Sequence, residues 1–285
     1  MFMELTDFKI FAKIAEEGSI SRAAEKLGYV QSNLTARLRK LEEELGVALF
    51  YRLPKGVTLT EKGAVFLKYS RTILHSSEEA LKAVRDTPYP SGPLTIGVVE
   101  TVTCGNFMNT LSEFQTLHPD VSLSILTRTS QELLAKVFNH QLDGAFVTDP
   151  SNSPQLIYEY KRKDEIVLLT KSPGAYPDLN DTKWAVFPEG DPFRRVLEEW
   201  LESEKIPLKN LIEISSLETI LSCVQSGLAA TLLPKSVLSG NYESLGTYTI
   251  PEKFRFTNTC MVRRKDRFSS KAFNAFAEMV REKGL

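Results

Sequence analysis

The chain has 285 residues, 42% of them hydrophobic and 25% charged, with a formal net charge of −1. That length allows one large or two to three small domains, each able to bury a core, and the composition describes a soluble globular protein. No apolar run approaches the length of a membrane span, and Met1-Phe2-Met3-Glu4 opens no secretory signal. The three cysteines, Cys104, Cys223 and Cys260, are too widely spaced for a metal pattern and too few all to pair, so a cytoplasmic location without a membrane partner is expected.

Residues 4–16 read as a helix with Leu5, Phe8, Phe11, Ala12 and Ala15 on one face. Ser19 is a good N-cap for a second helix, in which Ile20, Ala23, Ala24 and Leu27 recur at helical spacing until Gly28 permits a turn. A third helix follows at once. Its Leu34, Leu38, Leu41 and Leu45 form a narrow apolar stripe, and Ser32, Thr35, Ala36 and Arg39 lie on the opposite face. Such a pair fits a helix-turn-helix, because small side chains let a helix enter the major groove while hydroxyls, amides and guanidinium groups reach base edges and phosphates. An ordinary helical hairpin in a core has the same periodicity. Two features favour DNA: Val47 to Arg52 and Val57 to Leu59 flank a Leu53-Pro54-Lys55-Gly56 turn as the wing of a winged helix, and Arg37, Arg39, Lys40, Arg52 and Lys55 make a local basic excess.

These residues resemble the DNA-binding domain of the LysR-type bacterial transcriptional regulators. Ala23-Ala24, Gln31-Ser32 at the start of the recognition helix, Leu41-Glu42-Glu43-Glu44-Leu45-Gly46, Leu49-Phe50 with Arg52, and Leu59-Thr60-Glu61-Lys62-Gly63 match that family's motif in order and spacing. The resemblance implies a regulator that binds double-stranded operator DNA through Gln31, Ser32, Asn33, Thr35, Arg37, Arg39, Arg52 and Lys55. One position departs, since Ala36 stands where many members carry arginine, with Arg37 beside it, and the operator sequence stays open.

From Thr60 to about Arg85 runs a long helical pattern with two adjacent seven-residue columns, Phe66, Ile73, Ala80 and Leu67, Leu74, Leu81. A lone helix with such a seam needs a partner, and the resemblance makes that partner the same helix of a second subunit in a homodimer or homotetramer. Asp86-Thr87-Pro88-Tyr89-Pro90-Ser91-Gly92-Pro93 cannot continue a helix and reads as a hinge. The domain reading is a winged helix-turn-helix over 1–59, a linker helix over 60–87, a hinge over 88–93 and an effector-binding domain over 94–285.

Beyond the hinge, strands at 94–99, 121–126 and 144–147 alternate with helices at 106–118 and 131–139, which predicts an α/β domain with a parallel sheet. A second unit is expected after about Lys161, with strands at 165–170, 184–187, 212–214, 230–233, 248–250 and 258–262 and helices at 192–204, 218–226 and 270–281. The fold class is therefore an N-terminal all-α-type winged helix-turn-helix plus a long linker helix, followed by a C-terminal α/β sensor. The resemblance implies two lobes like those of a periplasmic binding protein, lobe I about 94–161 and 262–285 and lobe II about 162–261, with the effector between them.

Ligands of open α/β domains bind outside the carboxyl ends of strands, where free backbone N–H groups of helix starts suit an anion. Thr101, Thr103 and Cys104 follow the first strand, Arg128 and Thr129 the second, and Thr148 the third, while Arg194, Ser216 and Thr219 start helices of the second lobe. Thr101, Thr129 and Ser216 are the effector contacts that the resemblance implies. A plain helix cap is the competing role for each hydroxyl. Arginines beside helix starts point to a small organic acid, although Glu100, Asp149, Glu189 and Asp191 in the same loops suit an amine. No metal or cofactor motif occurs and neither does a G-x-S-x-G, Walker or H-E-x-x-H sequence, so binding is expected and catalysis is not. A thiol switch at Cys104 or Cys223 is the alternative mode of sensing.

Overall fold

The computed structural model describes residues 3–84, 88–266 and 268–284. The chain divides into two compact units, Met1–Asp86 and Thr87–Leu285. The expected linker end near Arg85 and the hinge residues Asp86 and Thr87 lie outside the described residues, as do Met1 and Phe2.

In the first unit, α1 (Leu5–Glu17), α2 (Ile20–Leu27) and α3 (Gln31–Leu45) surround one core, each ending on a glycine in the left-handed conformation. Phe8, Ile10, Phe11 and Ile14 are the buried positions of α1, whereas Leu5, expected on that face, is exposed because it begins the helix. Leu34, Leu38 and Leu41 of α3 are buried as the stripe requires. The hairpin β1 (Phe50–Leu53) and β2 (Gly56–Leu59) pairs Phe50 with Leu59 and Leu53 with Gly56, leaving Pro54 and Lys55 as the turn. A side chain at Gly56 would stand 2.3 Å from the carbonyl oxygen of Gly18, and Val57 N–H donates to that same oxygen at 3.0 Å, so glycine is what lets the wing root on the end of α1.

The long helix α4 spans Glu61–Val84. Phe66 stacks on Phe8 and meets Phe11 edge-on, with centroids 5.6 and 4.9 Å apart, and Leu67 is buried beside them. The first members of both predicted columns are thus used by their own domain. Val65, Tyr69, Ile73, Leu81 and Val84 remain exposed.

The second unit is built on a mixed sheet, in which the three strands expected to be parallel are parallel and antiparallel strands extend them. β3 (Gly92–Val98) runs parallel to β4 (Val121–Thr127) and to β5 (Gly144–Thr148), but β11 (Phe256–Arg264) is antiparallel to β5 and to β6 (Leu156–Thr170). β6 is one 15-residue strand, not a strand beginning after a domain boundary. Its first part pairs with β11, and its end pairs with β9 (Thr231–Pro234) and β10 (Gly246–Thr249), so β6 itself carries the chain from lobe I to lobe II.

Each lobe has its own core. In lobe I, α5 (Phe107–Leu117), α6 (Ser130–Phe138) and α9 (Lys271–Lys283) cover the strands with Phe107, Phe114, Phe146, Phe273 and Phe276 at the centre. Cys260 and Met261 belong to this core, so lobe I resumes slightly before the expected residue 262. In lobe II, the parallel pair β7 (Trp184–Val186) and β8 (Leu211–Glu213), with α7 (Pro192–Ser203) and α8 (Leu217–Ser226), encloses Ile166, Leu168, Trp184 and Trp200. Among the described residues no helix is long and apolar enough to cross a membrane.

Candidate functional site

The first candidate site is the outer face of α3 with the wing. Gln31, Ser32, Asn33 and Arg39 are exposed and Thr35 is half-buried on the same helix. Ser21 at the start of α2 donates to Gln31 Oε1 at 2.9 Å, and Thr35 Oγ1 donates to the Gln31 carbonyl at 3.0 Å, so the first turn of α3 presents its amide in a fixed orientation. Ser21 is not readable from sequence as a member of this group, because its partner lies across the turn. Arg39 pairs with Glu43 one turn on at 2.8 Å, with both side chains well exposed, a link worth only a few tenths of a kcal/mol that phosphate can displace.

Arg37 is different. Its guanidinium donates to Asp7 at 2.7 Å and reaches Glu4 at 3.4 Å, fastening α3 to the start of α1. It is engaged within the domain and is not among the free cations of the face. Arg52 and Lys55 in the wing are exposed and have no ion pair among the described residues. Glu42, in the acidic run at the end of α3, accepts the N–H groups of Leu49 and Phe50 at 2.7 and 3.2 Å and so sets the wing against α3.

The second candidate site lies between the lobes of the other unit, and it is two cavities. The first, of about 310 Å³, takes Thr101, Arg128, Thr129, Ser130, Gln131 and Thr148 from lobe I and Phe187, Pro188, Asp191, Phe193 and Ser215 from lobe II. Thr101, in the 3₁₀ turn after β3, and Thr148, at the end of β5, are 7% and 5% exposed. Thr129 caps α6 in a reciprocal box with Glu132, the competing role for this hydroxyl, and still borders the cavity. Arg128 spends one guanidinium N–H on the Thr127 carbonyl at 2.7 Å. Asp191 caps α7 by accepting the N–H groups of Phe193 and Arg194 at 2.8 and 3.2 Å, and burial pushes its carboxyl up to about 6 against those bonds.

The second cavity, of about 530 Å³, holds Thr103, Cys104 and Ser216 with Glu100, Glu218, Leu221 and Tyr242. Burial, then Glu218 and Glu100, hold the Cys104 thiol above its ordinary range, which disfavours the reactive thiolate. Ser216 makes no side-chain cap at α8. Glu100 and Thr127 border both cavities.

Two expected effector contacts fall elsewhere. Arg194 is bound by Glu198 at 2.8 Å and Glu213 at 2.7 Å, a clamp of α7 on β8 that borders neither cavity, and Thr219 is exposed on α8 away from both. Ser130, Gln131, Phe187 and Phe193 border the first cavity without any motif that marks them. Their only signal in the sequence is position, close to residues that a strand end or a helix start does mark.

The comparisons with known proteins agree with this two-part fold. The family model described as LysR substrate binding domain matches residues 88–284, and the one described as bacterial regulatory helix-turn-helix protein, lysR family, matches residues 5–64. The chain is 38% identical over 284 residues to the HTH-type transcriptional regulator CzcR of Bacillus anthracis, covering 98% of each protein. It is 35% identical over 286 residues to the HTH-type transcriptional regulator GltR of Bacillus subtilis (strain 168), covering 98% of this chain and 97% of that one. Among solved structures, a full-length OxyR variant from Pseudomonas aeruginosa shares the fold with a TM-score of 0.75 at 24% identity, over 99% of this chain and 95% of that chain. Full-length CbnR complexed with its target DNA does so with a TM-score of 0.68 at 21% identity, over 98% and 99%. With a winged helix whose wing leaves Arg52 and Lys55 outside ion pairs and a two-lobed domain with a cavity between the lobes, the chain belongs to the LysR family of bacterial transcriptional regulators, DNA-binding proteins with a C-terminal domain for a small-molecule effector.

Proposed function

We propose that this regulator reads operator DNA with Gln31, Ser32, Asn33, Thr35 and Arg39 of α3, steadied on phosphates by Arg52 and Lys55, and that a small organic acid in the 310 Å³ cavity controls it. One observation carries the effector reading. The carboxylates bordering that cavity are nearly all occupied: Glu100 by Leu217 N–H, Glu132 by Thr129, and Asp191 by two N–H groups of α7. The donors are not. Among the described residues, the hydroxyls of Thr101 and Thr148 and the N–H groups of Ser130 and Gln131 in the first turn of α6 have no partner, and Arg128 has spent only one of its donors. Free donors at a helix N-terminus beside a guanidinium suit an anion.

The chain acts in the cytoplasm as a homo-oligomer, without catalysis. CbnR has been solved in complex with its target DNA, which supports the same mode here. The face of α4 left exposed by Val65, Tyr69 and Ile73 supports association, since these recur at four-residue spacing and so lie on one side of the helix. A ligand that prefers one lobe geometry then shifts the subunit arrangement by its differential affinity.

The test is a thermal-shift series on the full-length chain with small acids and matched amines. Stabilisation that grows with acid concentration is expected. Stabilisation by amines alone would reverse the assigned charge of the effector. The thiol-switch alternative has no supporting observation, because Cys104 is held as a thiol and no two cysteines are joined.

A further inference from the structure

The 310 Å³ cavity divides its chemistry by lobe. Most of its unspent donors come from lobe I, the Ser215 hydroxyl of lobe II being an exception. Two of them, the hydroxyls of Thr101 and Thr148, sit on side chains more than nine-tenths buried, yet neither has a hydrogen-bond partner among the described residues. Neither oxygen is among the polar atoms sealed away without a partner, so both open on the cavity and mark where a polar ligand atom can bind. Lobe II presents the opposite chemistry, with Phe187, Pro188, Pro192 and Phe193 forming an apolar wall. Phe193 is held in the lobe II core and Phe187 packs against it, so this wall is fixed in place. The exposed Glu189 and the more buried Asp191 of lobe II meet any second anionic group with like charge.

We infer that the effector is an amphiphilic monocarboxylate: its single carboxylate is held by lobe I between Thr101, Thr148 and the first turn of α6, and its apolar body lies on Phe187 and Phe193 of lobe II. This rests on the organic-acid reading above and adds the number of charges and the nature of the body. The cavity volume is at the low end of ordinary ligand sites, about 300–1,000 Å³, which suits one ring or a short branched chain. With its head on one lobe and its body on the other, the ligand makes contacts that exist together only when the lobes are closed. Such a ligand has the differential affinity that a conformational switch requires.

The experiment is calorimetric titration of the full-length protein with four probes: 3-phenylpropionate, propionate, glutarate and 3-phenylpropylamine. The expected result is that 3-phenylpropionate binds about tenfold or more tighter than propionate or glutarate, with no binding of the amine. Phe187→Ala should abolish the advantage over propionate, whereas Thr148→Val should weaken both acids alike. Where Phe187→Ala lowers the melting temperature, Phe187→Leu replaces it, with a smaller loss of the same kind. Glutarate binding as tightly as 3-phenylpropionate, or an unaltered preference in the Phe187 variants, overturns this inference and leaves the organic-acid reading standing. Binding of the amine with no binding of any acid overturns both.

Discussion

Glu100 of lobe I accepts a hydrogen bond from the backbone N–H of Leu217, the first residue of α8 in lobe II, at 2.5 Å. The two residues are 117 positions apart in the chain. Ser216, the N-cap residue, makes no cap of its own, so the charge at the start of α8 is supplied from the opposite lobe. A charge-assisted bond of this kind contributes about 1.5–3 kcal/mol, enough to bias a two-state lobe equilibrium by an order of magnitude or more. Glu100→Ala should therefore open the lobes, seen as a larger radius of gyration in small-angle scattering, with Glu100→Gln in between because its amide oxygen still accepts. An unchanged radius in both variants would mean that the two strands joining the lobes, and not this bond, set the geometry.

For the DNA face, the ion pairs divide the arginines. Lys55→Ala or Arg52→Ala, both free and exposed, should weaken binding to operator and random DNA alike and lower the salt slope by about 1. Arg37→Ala should act on stability instead, because it removes the link to Asp7 and Glu4 at the start of α1. The pair with Asp7 is partly sheltered, so a loss of about 1 kcal/mol is expected, with the salt slope unchanged. Binding titrations at two salt concentrations, beside melting curves, separate the two effects. A reduced salt slope for Arg37→Ala would return that residue to the phosphate contacts.

What is legible in the sequence follows from the range of the interactions. The helices of the first unit can be read because the apolar period, the Ser19 cap and the terminal glycines are all local signals. Thr101, Arg128, Thr129 and Thr148 can be found because a ligand site at strand ends is a property of topology, and the order of strands and helices is readable. The continuity of β6 is hidden by Lys161-Arg162-Lys163-Asp164. These charged residues look like a linker, but Arg162 and Asp164 pair at 2.7 Å and the segment lies in register with β11. Arg194 misleads for a similar reason, since one of its carboxylate partners, Glu213, lies 19 residues further on, in another element. The Glu100 bond to α8 has no signal at all, because an acid after a strand looks the same whether or not a distant helix meets it.

The exposed face of α4 gives a prediction about assembly. Phe66 and Leu67 pack into their own domain, so the association surface is left to the exposed residues, among them Val65, Tyr69 and Ile73. Ile73→Asp should dissociate the oligomer, because an unpaired carboxylate in a packed seam costs several kcal/mol. Leu74→Glu, at a half-buried position, should weaken it less. Sedimentation velocity checks both. An oligomer unaffected by Ile73→Asp would assign association to the sensor domains.

Cys104 should be a slow thiol. Burial is the main cause of its raised pKa, and Glu218 and Glu100 add to it, so the thiolate fraction at neutral pH lies below that of a free cysteine. Alkylation in the folded protein should therefore be slower than in the unfolded chain and should rise with pH into the alkaline range. Glu218→Gln, by removing one of the two negative charges, should move that profile toward lower pH. A profile insensitive to Glu218→Gln would remove Glu218 from the causes and leave desolvation and Glu100.

Asp191 ties stability and ligand binding to pH. Its carboxyl is raised from the ordinary 3.8 to about 6, and the N–H groups of Phe193 and Arg194 that oppose the shift are already counted in that balance. Because the folded protein holds this proton more tightly than the unfolded chain does, the resulting stability is fully present below about pH 4 and is lost as pH rises to about 6. At pH 7 the buried charge then costs on the order of 2–3 kcal/mol, more than the roughly 0.3–1 kcal/mol that a negative charge gains at a helix start. Asp191→Asn keeps an oxygen to cap α7 and removes the charge. It should melt several degrees higher than the parent at pH 7 to 8, with the difference vanishing near pH 4. The same carboxyl faces the cavity, so a bound anion favours its protonated form. The affinity for 3-phenylpropionate should therefore be higher at pH 5.5 than at pH 7.5 in the parent and nearly flat in Asp191→Asn. Equal pH dependence in the two proteins would place the linked proton on another group.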